Sequence, residues 1–141
     1  MKTPWHLWVV GGITLLFNSG GAFDYVMTQT RNAAYMAQFS DLERAYFEEF
    51  PAWVVACWSI AVWVAVLGSV LLLLRKRWAV GAFALSLVAM AVTMVHNFGL
   101  AELKMHHVVG QEAIWFSAFI AVVTVATFAY ARAMAQRGVL R

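Results

Sequence analysis

Asp24 and His96 are the side chains in this sequence whose types best suit them to do chemistry in apolar surroundings. A carboxylate beside an imidazole favours the protonated ring, so such a pair takes up a proton, or holds a cation or small polar solute, in a pH-sensitive way. Further polar groups accompany them. Asn18 precedes Asp24 in one apolar segment, Asn97 follows His96 directly, and Glu112 opens another segment. His96, His106 and His107 with a carboxylate would make a nitrogen and oxygen donor set that borderline and hard divalent metals accept. Adjacent histidines in a loop do not have metal-ligand spacing, so no metal is assigned and no cofactor is expected. The same polar groups also read as interfacial residues bonded to water, headgroups and helix ends.

What could hold these groups together is set by composition. The chain has 141 residues, 63% hydrophobic and 12% charged, with mean hydropathy +0.73. A soluble domain is about half apolar and about one quarter charged. Four apolar blocks stand out, at about residues 5–27, 51–74, 78–100 and 113–134. Each has about the 20 residues a helix needs to cross a bilayer. The expected fold is an all-α membrane protein: a single domain, an antiparallel four-helix transmembrane bundle. The turn Arg75-Lys76-Arg77 is short enough to force a hairpin between the second and third blocks.

Between the first two blocks, Tyr35, Phe39, Leu42, Tyr46 and Phe50 recur at three- and four-residue steps, so they share one helical face. Ser40 with Glu43 makes a capping box, and Pro51 suits the start of the next helix. This predicts a short amphipathic helix over 41–50, lying on the outer membrane surface or capping the bundle.

Charge gives an orientation. Lys2, Arg75, Lys76, Arg77, Arg132, Arg137 and Arg141 fall on one side; Arg31, Arg44 and Lys104 fall on the other. Basic excess marks the cytoplasm, so both ends point inward. All seven acidic residues, Asp24, Asp41, Glu43, Glu48, Glu49, Glu102 and Glu112, fall on the outer side. The basic side favours anionic lipid, and nothing suggests nucleic acid. The first block has a second reading as a signal peptide with Ser19-Gly20-Gly21 as its cleavage site. Trp5 and Trp8 favour a retained interfacial anchor instead.

Depth then ranks the polar groups. At ~1.5 Å per residue, Asn18 lies ~20 Å and Asp24 ~28 Å above Trp5, while His96 lies ~27 Å above Trp78. A hydrocarbon core is ~30 Å thick. Asn18 is therefore inside the bilayer, and Asp24 and His96 share a layer at its outer rim. Ionisable groups at such depth face the bundle or water, so the expected site is a shallow outer cavity around Asn18, Asp24, His96, Asn97 and Glu112. Gly20-Gly21 suits close approach of another helix or local unwinding. His6 reads as an interface residue, with haem ligation as a second use. Cys57, the only cysteine, reads as a small buried hydrophobe.

The stretches HLWVVGG, GGAFDYVMTQTRNAAY and FPAWVVACWSIAVWVAVLGSVLLLLRKRWAV resemble a family of small four-span proteobacterial inner-membrane proteins loosely labelled "sugar transporter". That resemblance implies a location and a transport role, and carries over no site residue. LERAYFEEFPAWVVACW also resembles the loop and second helix of the membrane-associated glutathione transferases. In that family an arginine, an asparagine and a glutamate stand at set spacing. Here Arg44 is followed by Glu48 in place of the asparagine and by Pro51 in place of the glutamate. No nucleophile–base arrangement or phosphate-cradling loop appears, so no enzyme is expected. The expected role is a non-catalytic accessory or assembly subunit among other membrane subunits. The alternative is a small homo-oligomeric transporter, or a solute- or cation-binding protein.

Overall fold

Where water is excluded, the backbone must satisfy its own N–H and C=O groups, and an apolar run can do so alone only as a helix. The computed structural model describes residues 3–48, 50–100 and 111–141. It contains α1 (Trp5–Gln29), α2 (Ala33–Met36), α3 (Asp41–Glu48), α4 (Ala52–Leu73) and α5 (Trp78–Val95). A π-helical turn, His96–Leu100, continues α5, and α6 spans Gln111–Gln136. No strand occurs among the described residues. Three helical segments are long and apolar enough to cross a membrane: Ala52–Leu73, Trp78–Gly99 and Ile114–Gln136. The chain is a helical membrane protein.

The helices pack in sequence order. α4 lies between α1 and α5, and α6 packs on α5. Close approach of α4 and α5 depends on Gly68: a Cβ there would stand 2.9 Å from the ring of Phe83, which is 1% exposed. Gly11 plays a similar part between α1 and Leu73 of α4. The Gly20-Gly21 pair does not. Gly20 has open space where a Cβ would be, and Gly21 would only reach ordinary contact with Val62. α1 runs unbroken through both, so local unwinding is not used either.

α1 and α6 meet at two points. His6 Nδ1 and the Tyr130 hydroxyl form a hydrogen bond, and Phe17 and Phe119 stack edge to face with centroids 5.9 Å apart. His6 is thus an interhelical contact.

Three helices end the same way. The residue after the last turn takes a left-handed conformation at Arg31 (φ 54), Arg75 (φ 57) and Gly138 (φ 75). The following N–H then reaches back to an orphan carbonyl: Asn32 to Met27 (3.1 Å), Lys76 to Leu71 (2.9 Å) and Val139 to Met134 (3.0 Å). This is Schellman closure. Beyond Gly138 the chain folds back and buries Val139 and Leu140 against Leu7, Leu72, Phe83 and Met134. Leu140 is 2% exposed.

At the opposite end, α3 starts with the expected capping box. Ser40 N donates to Glu43 Oε2, and Glu43 N donates to Ser40 Oγ, both at 3.2 Å. The helix is described over Asp41–Glu48, and Phe50 is not helical. Pro51 then caps α4, its carbonyl accepting from Val54 and Val55 at 3.0 and 3.1 Å. The third apolar block differs in kind. It is α-helical only to Val95 and finishes in the π turn.

Candidate functional site

The polar residues singled out by type and depth separate into three places. The first lies between α1 and α4. Asn18 Nδ2 donates to Ser69 Oγ at 2.8 Å and to the Ala65 carbonyl at 3.2 Å. Ser69 Oγ in turn donates to Ala65 O at 2.9 Å and is fully buried. The side chain of Asn18 is committed to holding two helices together. It does not line a path beneath Asp24.

The second place is the far end of α1. Asn32 caps α2 by accepting from Tyr35 N at 3.0 Å. That cap folds α2 back so that the Tyr35 hydroxyl donates to Asp24 Oδ1. Burial, then the hydrogen bond to Asp24 and its negative charge, push the Tyr35 phenol up to about 12. Phe23 and Phe39 flank the Tyr35 ring at 5.8 Å each. Arg31 lies 3.9 Å from Glu48, with both side chains well exposed, so this pair contributes little.

The third place is the π turn. His96 and Asn97 are 7% and 8% exposed. Asn97 Oδ1 accepts from the Tyr46 hydroxyl at 3.0 Å and lies 3.4 Å from His96 Nδ1. Phe50 and Trp53 present ring edges to the imidazole at 5.6 and 5.5 Å. Tyr46 comes from α3, so this network docks the amphipathic helix onto the end of α5. Burial pushes the Tyr46 phenol up to about 12.

The expected Asp24–His96 pair is therefore not formed. Among the described residues no hydrogen bond or ion pair joins them. Both lie at the same end of the bundle, but Asp24 is taken by Tyr35 and His96 by Asn97 and aromatic rings. Glu112 is exposed at the start of α6 and belongs to neither group. His106 and His107 lie outside the described residues, as do Glu49, Glu102 and Lys104. Among the described residues no three metal-ligating side chains cluster. Arg44 is engaged locally, pairing with Asp41 and reaching the Met36 carbonyl at 3.5 Å.

Sequence reasoning missed Tyr35, Tyr46 and Ser69 as polar partners. Tyr35 and Tyr46 were visible as members of an aromatic face, but a phenol's hydroxyl is a donor as well as a ring substituent. It also missed an aromatic chain joining the two outer places. Phe39, Phe47, Phe50, Trp58 and Tyr25 meet in succession edge to face or tilted, at 5.0–5.9 Å. Several hydroxyls inside the long helices are bonded as well. Ser86 donates to Ala61 O across the α4–α5 contact at 2.6 Å, and Thr93, Thr124 and Thr127 bond carbonyls one turn back.

An open groove of about 300 Å³ runs between α1 and α4, lined by Ser19, Ala22, Phe23, Val26, Trp63 and Val66. Its walls are mostly apolar, and it opens sideways. No protein-family model, curated protein or solved structure matches this chain.

Proposed function

We propose that the protein crosses a bacterial inner membrane four times, with both ends in the cytoplasm, and serves as a non-catalytic accessory or assembly subunit. α1 is the fourth span in this reading. Its 25 residues extend ~38 Å at the usual helical rise, enough for a ~30 Å core. Its amide, Asn18, is satisfied by α4. The one-sided distribution of basic residues supports the orientation. Membership of the small four-span family suggested by the first hundred residues is part of the same proposal.

The observation that carries the subunit role is the contrast between interior and flank. Among the described residues, Asn18, Ser69 and Ser86 tie long helices to one another, and Thr93, Thr124 and Thr127 bond their own backbone. The outward faces of α1 and α6 are apolar, with Ile13, Leu16, Phe116, Phe119 and Val122 exposed. Gly12 and Gly20 on α1 leave room for a neighbouring backbone. Extraction in mild detergent and affinity isolation of the full chain test this. A defined heterologous membrane partner at fixed stoichiometry is expected, and a lone homo-oligomer would overturn it.

The buried His96–Asn97 pair favours the second reading, a small solute- or cation-binding transporter. Buried polar side chains are costly unless paired or used, and π turns recur at functional sites. His96→Gln separates the two: the transporter reading expects lost solute or cation binding by an intact homo-oligomer, the subunit reading an unchanged partner complex.

A further inference from the structure

The inner end of the bundle carries a second built feature. Gly138 reverses the chain after α6, and the burial of Val139 and Leu140 lays Arg141 against the α4–α5 turn. Two backbone bonds fix it there: Arg141 N donates to Arg75 O at 2.8 Å, and Arg77 N donates to Arg141 O at 3.0 Å. Arg75 turns inward, its Nη1 donating to Thr3 Oγ1 at 2.8 Å. Lys76, Arg77 and Arg141 stay exposed.

Among the described residues no Asp or Glu side chain pairs with them, and the main-chain oxygen of Arg141 that accepts from Arg77 N is the acidic group beside them. Among the described residues the ion pairs are Arg31–Glu48 and Arg44–Asp41, both at the other end of the molecule. Arg77 also immediately precedes α5, whose N-terminal dipole adds positive potential to the same spot. Beside the cations, Trp78 is 80% and Leu74 60% exposed. An indole next to basic side chains is the arrangement that settles at headgroup depth.

We propose that the α4–α5 turn and the folded-back tail together form a site for the phosphate headgroup of an anionic phospholipid, with Lys76, Arg77 and Arg141 facing the phosphate and Trp78 and Leu74 facing its acyl region. The proposal rests on the membrane reading, which puts this turn at the inner surface. The tail matters because it converts a basic turn into a two-sided cradle. Arg141 is 64 residues along the chain from Arg77 and stands beside it only through backbone bonds, which side-chain substitution leaves intact.

The test is binding of phosphatidylglycerol to the full-length chain in phosphatidylcholine nanodiscs. Anionic lipid should be preferred over phosphatidylcholine. Arg77→Gln and Arg141→Gln should each weaken that preference about five-fold, and the double variant about twenty-five-fold, from the contribution of one basic side chain at an anionic surface. Arg132→Gln, exposed on α6 and outside the clasp, should change it less than either clasp variant does. Equal loss with Arg132→Gln would mean diffuse attraction and overturn the site. Competition by millimolar inorganic phosphate would assign the cradle to a free anion and overturn the lipid. Circular dichroism of each variant confirms that it is folded. A chain that alkaline carbonate strips from phosphatidylcholine vesicles overturns the membrane reading and the site together; an inserted chain without lipid preference overturns the site alone.

Discussion

Replacing Asn18 with alanine removes both side-chain hydrogen bonds that pass from α1 to α4, to Ser69 Oγ at 2.8 Å and to Ala65 O at 3.2 Å. Polar bonds between membrane helices average about 0.6 kcal/mol, with a ceiling of about 1.7 kcal/mol. Asn18→Ala should therefore destabilise the bundle by about 1.2 kcal/mol. Ser69→Ala deletes one of the two acceptors and leaves the Ala65 carbonyl in place, so the pair should couple by about 0.6 kcal/mol in a double-mutant cycle. The assay is reversible unfolding in mixed micelles against sodium dodecyl sulfate, followed by tryptophan fluorescence. Coupling no larger than the about 0.3 kcal/mol scatter of independent sites would refute an interhelical tie. So would a variant of native stability that has lost solute binding, since that is the signature of a residue lining a path.

Three other predictions concern separate parts of the fold. Gly138→Ala forces an L-residue into a left-handed position and should cost about 1–2 kcal/mol, with faster hydrogen exchange at the amides of Val139 and Arg141; unchanged exchange would mean that the clasp does not need the reversal. Gly68→Ala drives a Cβ to within 2.9 Å of the Phe83 ring and should destabilise by about 1–3 kcal/mol, less the roughly 1 kcal/mol that alanine gains in helix propensity; Gly68→Ala with Phe83→Leu should recover part of the loss in the same unfolding assay. For pH, Tyr35 and Tyr46 are both pushed up to about 12 from the ordinary 10.0. The folded chain then holds protons that the unfolded chain has lost, so their contribution is intact below pH 10 and falls away between about pH 10 and 12. Ultraviolet titration should show late-ionising phenols, and Tyr35→Phe should remove one of them and flatten the alkaline decline.

Height along a helix was legible in the sequence and direction around it was not. Counting residues set Asp24 and His96 at one end of the bundle. It could not reveal that Asn32 would cap a four-residue helix and bring Tyr35 onto Asp24 first. The long helices were legible because an apolar run has few other ways to satisfy its backbone. The π turn was not, since His96-Asn97-Phe98-Gly99 continues the pattern of α5 without a breaker strong enough to mark it. Two of the three left-handed helix ends fall on Arg31 and Arg75, and arginine is no signal for positive φ. Gly138 is such a signal, and the apolar pair after it is the usual companion of a Schellman end. The partners of Asn18 were not legible, since its acceptors are a serine and a carbonyl in an otherwise apolar helix.

Thr3 and Arg141 are both anchored on Arg75, one through its guanidinium and the other through its carbonyl. The polypeptide is thus nearly a closed ring. Joining residues 3 and 141 by a short linker and reopening the chain between α2 and α3, at residues 37–40, would leave every helix in contact with its present neighbours. A permuted gene built that way should yield the same bundle, with its new ends at the opposite end of the helices.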